Sequence, residues 1–190
     1  MADFAALVLA GGRARRLGGV DKVLLPVAGR SLLDRTLDAV ADADPIVVVG
    51  PERPTERAVQ WTREEPPDGG PLAAVHAGLA RLPAGTRVVA ILAADHPHLT
   101  PETLARLRGS LTADLRAGGA VLAETGGRPQ WLLGVWRVSA LRAAMPDEVR
   151  DKPIRALLAP LAPIHVPATP TETSDVDTPE DLDRARTLDD

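Results

Sequence analysis

The sequence predicts an α/β protein: a single-domain, Rossmann-like three-layer sandwich with a mostly parallel sheet and a late antiparallel hairpin. Two observations carry this expectation. Short apolar runs alternate with amphipathic stretches across Gly- or Pro-marked loops, the rhythm of a parallel sheet covered by helices on both faces. Later, two β-rich segments flank Thr125-Gly126-Gly127-Arg128, which has the composition of a hairpin turn.

Each element has its own local reason. Phe4 to Ala10 is too short for an isolated helix and reads as a buried strand. Ser31 to Ala41 is helical, with Ser31 and Asp34 spaced as a capping box. Pro45 to Val49 is β-branched and stops at Gly50-Pro51, and Val59 to Thr62 is a weaker strand. Pro71 stands where a first helical residue belongs, opening a small-residue helix to about Leu82. Arg87 to Ala93 is another buried strand, and Thr100-Pro101-Glu102 starts a helix with cap and proline in the preferred order. The hairpin pairs Gly119–Glu124 with Gln130–Trp136. Helices follow near Ser139–Ala144 and Pro153–Leu161, then a strand around Ile164–Val166 and a last helix opened by Thr178-Pro179-Glu180.

Bulk properties exclude several classes. A chain of 190 residues supports one core, and neither an internal repeat nor a long linker marks a second domain. The net charge of −4 argues against a nucleic-acid partner. With no cysteine there is neither a thiolate metal site nor a catalytic thiol. No apolar run approaches the roughly 18–20 residues needed to cross a bilayer. Met1-Ala2-Asp3-Phe4 lacks the features of a signal peptide, so a cytoplasmic protein with no membrane partner is expected.

The most informative segment follows the first strand: Leu9-Ala10-Gly11-Gly12-Arg13-Ala14-Arg15-Arg16-Leu17-Gly18-Gly19-Val20-Asp21-Lys22. Ligands of parallel sheets sit beyond the carboxyl ends of the strands, where this loop emerges. Paired glycines let backbone N–H groups approach an anion, and Arg16 and Lys22 would neutralise a triphosphate or departing pyrophosphate. The spacing fits neither GxGxxG nor GxxxxGK[ST].

Asp95, at the end of the strand before His96-Pro97, points a carboxylate into the same crevice and is the first candidate for a Mg²⁺ ligand. Asp175 and Asp177, one residue apart, read either as two solvated turn residues or as a pair facing one way and sharing a metal. His76, His96, His98 and His165 show no ligand spacing and read as surface or turn residues. Trp61, Trp131 and Trp136 read as core or rim residues, with stacking on a flat acceptor as the alternative for Trp131; Lys152 and Arg155 read as a solvated helix start, with the acceptor's phosphate as their alternative partner.

The glycine-rich string resembles the LAGG-x-x-x-R-M-G-x-D-K signature of molybdenum cofactor guanylyltransferases, within the small NTP-transferase domains. Leu17 replaces the usual methionine, and one additional glycine precedes Val20-Asp21-Lys22. The likeness runs from Leu7 to Leu182. Ala94-Asp95-His96-Pro97 is similar to the family's C-D-x-P, Gly70-Pro71-Leu72-Ala73-Ala74 to its G-P-L-A-G, and the segment Asp175 to Leu182 to its N-x-N-T-P-E-[DE]-L, with aspartates for both asparagines.

By resemblance, the backbone of Leu9, Ala10, Gly11 and Gly12 holds the nucleotide, with Asp68 and Asp95 also contacting it. Lys22 meets the phosphates, and Arg16 joins it as the second catalytic cation. Asp95 and Asp177 would bind Mg²⁺. The implied reaction moves GMP from GTP to molybdopterin, releasing pyrophosphate, with cofactor-delivering or cofactor-accepting molybdoenzyme proteins as partners. The nucleotide half would span roughly residues 1–110 and the acceptor half roughly 111–190. Gly11-Gly12 matches the guanylyl branch better than the Ala-Gly of cytidylyl relatives. The rivals are a cytidylyltransferase for the same cofactor, a phospholactate guanylyltransferase, a sugar-phosphate enzyme and a non-catalytic nucleotide-binding module.

Overall fold

The computed structural model describes residues 4–11 and 21–188. Strand β1 (Phe4–Leu9) is buried along its whole length. A 3₁₀ turn (Lys22–Leu24) then leads into a small ribbon, β2 (Pro26–Val27) and β3 (Arg30–Ser31), turning through Ala28 and Gly29 at φ 46° and 77°. Helix α1 (Leu32–Ala39), β4 (Ile46–Val49), β5 (Gln60–Thr62), α2 (Gly70–Leu79), β6 (Val88–Ala93) and α3 (Pro101–Ala113) complete the alternating part. Next come β7 (Gly119–Ala123), β8 (Pro129–Arg137), α4 (Val138–Ala144), α5 (Ile154–Leu158) with a 3₁₀ extension over Ala159–Leu161, β9 (Ile164–Pro167) and α6 (Pro179–Thr187).

Seven strands form one sheet in the order β5-β4-β1-β6-β8-β7-β9. Strands β5, β4, β1 and β6 are parallel, β8 runs against both of its neighbours, and β9 is parallel to β7. The α/β expectation and the late hairpin are therefore both met. Alternation along β1 explains the layers. Phe4, Ala6 and Val8 join Leu33 and Leu37 of α1 and Leu104 and Leu107 of α3 on one face. Ala5, Leu7 and Leu9 join Leu72 and Val75 of α2, Leu141 of α4 and Leu157 of α5 on the other. In the hairpin Trp136 is wholly buried opposite Gly119, where a Cβ would fall 2.2 Å from its ring. Only glycine fits there.

Three local expectations change. The β2–β3 ribbon had no sequence signal, because two-residue strands are below the reach of periodicity. Helix α2 stops at Leu79 rather than about Leu82. At α1, Ser31 Oγ accepts from Asp34 N (3.0 Å), but the return half of the capping box is missing. The Asp34 carboxylate instead accepts from Ser31 Oγ (2.6 Å) and from the Glu56 N–H (3.0 Å). A complete capping box does form at α6, between Thr178 and Asp181. Among the described residues, no helix is long and apolar enough to cross a membrane.

Candidate active site

The chain places β4 on one side of β1 and β6 on the other, so a crevice opens where their carboxyl ends diverge. The sheet ladder continues just past the strands. Ala10 N–H donates to Val49 O (2.9 Å), and Ala94 N–H donates to Leu9 O (3.0 Å). These bonds bring the start of the glycine-rich segment against the residue preceding Asp95. Leu9 and Ala10 are buried, and Gly11 is the first exposed residue beyond the strand. Gly12 and Arg16 lie outside the described residues.

Lys22 opens the 3₁₀ turn on the far side of that segment and reaches into the crevice. Its Nζ lies 2.8 Å from Asp95 Oδ2 and 2.6 Å from Asp177 Oδ1. Two features of the last third of the chain bring Asp177 there. Val176 N–H donates to Asp95 O (3.0 Å), pinning the extended arm to the β6 loop. The Asp181 carboxylate accepts from Asp177 N–H (3.2 Å) and Thr178 N–H (2.9 Å), setting the approach to α6. Asp95, Asp175 and Asp177 each offer a carboxylate oxygen within 4.8 Å of the others. This is a set of hard oxygen donors of the kind Mg²⁺ and Mn²⁺ take, so the residues fit a divalent cation.

The second Asp95 oxygen is held by a residue that the sequence reading set aside. His96 Nδ1 lies 2.9 Å from Asp95 Oδ1, and its ring is buried rather than at the surface. The only sequence signal was adjacency to Asp95. Its burial follows from the tertiary fold, where Arg35 of α1 holds the turn by donating to Pro97 O (2.8 Å). Burial opposes ionisation of Asp95. The hydrogen bond and charge of His96, followed by those of Lys22, outweigh it and keep the carboxyl well below its usual range. For Lys22 burial again opposes charge, but Asp95 and Asp177 prevail and raise the ammonium above its ordinary value.

Asp68 is exposed at φ 63° on the β5–α2 connection, which leaves the same edge of the sheet, and its N–H donates to Glu64 Oε1 (3.2 Å). The neighbouring Gly69 carbonyl accepts from Asp151 N–H (2.9 Å), which draws the exposed Lys152 and Arg155 region toward the start of α2. Trp131 is partly buried at the rim of the core.

Comparison with known proteins agrees with this fold. Residues 6–165 match the MobA-like NTP transferase domain. A molybdenum cofactor guanylyltransferase of Rhodopseudomonas palustris (strain HaA2) is 33% identical, with 96% of this chain and 91% of the relative covered. Among solved structures, the molybdopterin-guanine dinucleotide biosynthesis protein A of Archaeoglobus fulgidus superposes with a TM-score of 0.71 at 23% identity, covering 97% of each chain. The Mycobacterium tuberculosis H37Rv protein Rv0371C, in complex with manganese, superposes with a TM-score of 0.72 at 20% identity, covering 97% of this chain and 98% of that one.

Proposed function

We propose that this chain, which belongs to the MobA-like NTP transferase domain family and is a nucleotidyltransferase, moves GMP from GTP onto a terminal phosphate of molybdopterin and releases pyrophosphate. The observation that carries this reading is the meeting of Lys22, Asp95 and Asp177 beside the glycine-rich segment, at the carboxyl edge of the sheet. The choice of GTP and molybdopterin draws on the names of the relatives, together with the Gly11-Gly12 form of the loop.

In the reaction, an acceptor phosphate oxygen attacks the α-phosphorus in line. One P–O bond forms, the bond from the α-phosphorus to the bridging oxygen breaks, and pyrophosphate leaves with the electron pair. No protein nucleophile is needed, so positioning and charge stabilisation supply the rate. Leu9, Ala10, Gly11 and Gly12 would hold the phosphate end, Asp68 would contact the nucleoside, and Lys22 with Arg16 would counter the charge growing on the pyrophosphate. Asp95 and Asp177, with Asp175 beside them, would hold Mg²⁺, which supplies Lewis-acid polarisation of the phosphate oxygens when bound. His96 fixes the Asp95 carboxylate by occupying Oδ1, so that Oδ2 faces Lys22. Lys22 is bonded to two of the carboxylates that would hold the cation, so a bound cation would leave its ammonium available to the phosphates.

The division of labour follows the sheet. Roughly residues 1–110 hold the nucleotide and roughly 111–190 the acceptor, with Lys152 and Arg155 available to its phosphate. Partners in the cell are then proteins that deliver molybdopterin or accept the finished cofactor in the cytoplasm.

The test is pyrophosphate release by purified protein with Mg²⁺ and molybdopterin, comparing GTP, CTP, ATP and UTP. GTP-specific release that requires both metal and pterin is expected. Release with CTP alone would move the protein to the cytidylyl branch, and no release with any nucleotide would remove molybdopterin as acceptor.

A further inference from the structure

One side chain grips both Ala10, just past the end of β1, and Asp21, the neighbour of Lys22. Arg53 lies in the connection between β4 and β5, and its side chain is only 9% exposed. Its Nε donates to Asp21 Oδ2 at 2.6 Å, while one terminal nitrogen donates to Ala10 O and Pro51 O, each at 3.0 Å. The close approach this requires is built into the backbone. Gly50 has φ 151°, and a Cβ there would lie 3.0 Å from the Ala10 carbonyl carbon and oxygen. With no side chain in the way, the end of β4 packs directly on Ala10, and Arg53 folds back over the junction.

The chemistry of the grip is specific to arginine. A planar guanidinium has several fixed donors and can serve a carboxylate and two carbonyls together, whereas an ammonium presents a single point charge. Asp21 is the immediate neighbour of Lys22, so the Asp21–Arg53 bond also limits where Lys22 can start its reach to Asp95 and Asp177. Fixing where that reach starts lowers the cost of ordering Lys22 when a ligand binds, and that saving appears as affinity.

We propose that Arg53 is a positioning residue for nucleotide binding: a clasp that fixes Ala10 relative to Asp21 and so sets the placement of Lys22. The inference rests on the reading of the crevice around Gly11 and Lys22 as the triphosphate site. Arg53 acts through Ala10 and Asp21.

The experiment measures GTP binding by calorimetry, together with steady-state kinetics and thermal midpoints, for wild type, Arg53→Ala, Arg53→Lys, Asp21→Asn and the Arg53→Ala/Asp21→Asn double variant. Loss of a charge-assisted bond should weaken GTP binding about 10-fold in Arg53→Ala. Asp21→Asn should weaken it by a smaller factor, and the double variant should be no worse than Arg53→Ala, the non-additivity of a shared contact. Arg53→Lys should fall between wild type and Arg53→Ala. A role in stability alone would lower the thermal midpoint and leave GTP affinity unchanged in the folded variants, which overturns the clasp. Asp21 is 41% exposed, so Asp21→Asn tests the same bond even if the Arg53 variants misfold. Additive effects of the two substitutions would also overturn it. If wild type binds no nucleoside triphosphate, the fault lies with the triphosphate reading, and the clasp falls with it.

Discussion

Asp95 and Glu172 are both part of knots that tie the last third of the chain to the rest, and both carboxyls are held below their usual range. Their partners differ in kind. Burial opposes the charge of Glu172, but its oxygens accept from Thr103 Oγ1 (2.6 Å), Thr169 N–H (2.8 Å) and the Arg106 guanidinium (2.8 and 2.9 Å). Two of these are a hydroxyl and a backbone amide, groups that stay with the fold and have nothing to exchange with. Asp95 has His96 on one oxygen and a lysine on the other, and that lysine is shared with a second carboxylate. Glu172 sits at the side of the sheet covered by α3, whereas Asp95 sits at the carboxyl edge where strands diverge. A depressed carboxyl alone therefore marks no site. What separates the two is the company: Glu172 keeps a hydroxyl and a backbone amide besides its cation, whereas the cation on Asp95 is shared with a second carboxylate at the sheet's carboxyl edge.

The largest effect expected from this contrast is on turnover. Lys22→Ala and Asp95→Ala should each lower kcat by about 10²–10³-fold, the scale of losing a group that faces developing charge. Circular dichroism should show the fold retained. Near-normal activity in both variants would mean the site is misplaced. Next, Lys22→Met should tighten Mn²⁺ binding to the nucleotide-free protein several-fold, as read by electron paramagnetic resonance, because it removes the ammonium that competes for Asp95 and Asp177. Weaker Mn²⁺ binding would show that lysine and cation use different oxygens.

Glu172→Gln should do the opposite, costing stability and sparing the site. Loss of the charge-assisted bond is worth about 2 kcal/mol and lowers the thermal midpoint by about 4–8 °C in a chain of this size, with GTP affinity unchanged. A changed affinity with an unchanged midpoint would erase the distinction between the two knots. The smallest effect is the pH dependence of that stability. Because the folded value of Glu172 lies below its ordinary 4.5, its contribution is present above that value and is lost as pH falls through the depressed one. Melting curves of Glu172→Gln should therefore fall less steeply on the acid side than those of wild type. An equal slope would assign the acid limb to other carboxyls.

Much of this molecule can be read from local sequence. The β-branched and apolar runs at Phe4–Leu9, Ile46–Val49 and Val88–Ala93 become strands because each is short and apolar on both faces. Thr100, Thr178 and the prolines after them start helices by the same local chemistry. Lys22, Asp95 and Asp177 were identifiable because residue type, strand ends and motif resemblance agree, and the fold brings these three within hydrogen-bonding distance. Asp68 reaches the same edge of the sheet on a different connection, and Gly12 and Arg16 fall outside the described residues.

Tertiary structure alone decided the rest. No local pattern tells that β1 lies between β4 and β6, since strand neighbours are chosen by packing across the sheet. Lys22 meets Asp177 across 155 residues of chain, and Arg53 meets Asp21 across 32. His96 looked like a turn residue because burial is not a property of a residue or its neighbours in sequence. The chain sets which groups are available and which segments are strands or helices, through backbone preference and side-chain periodicity. Which charges meet, and which of them leave water to do so, is settled only when distant segments close over one another.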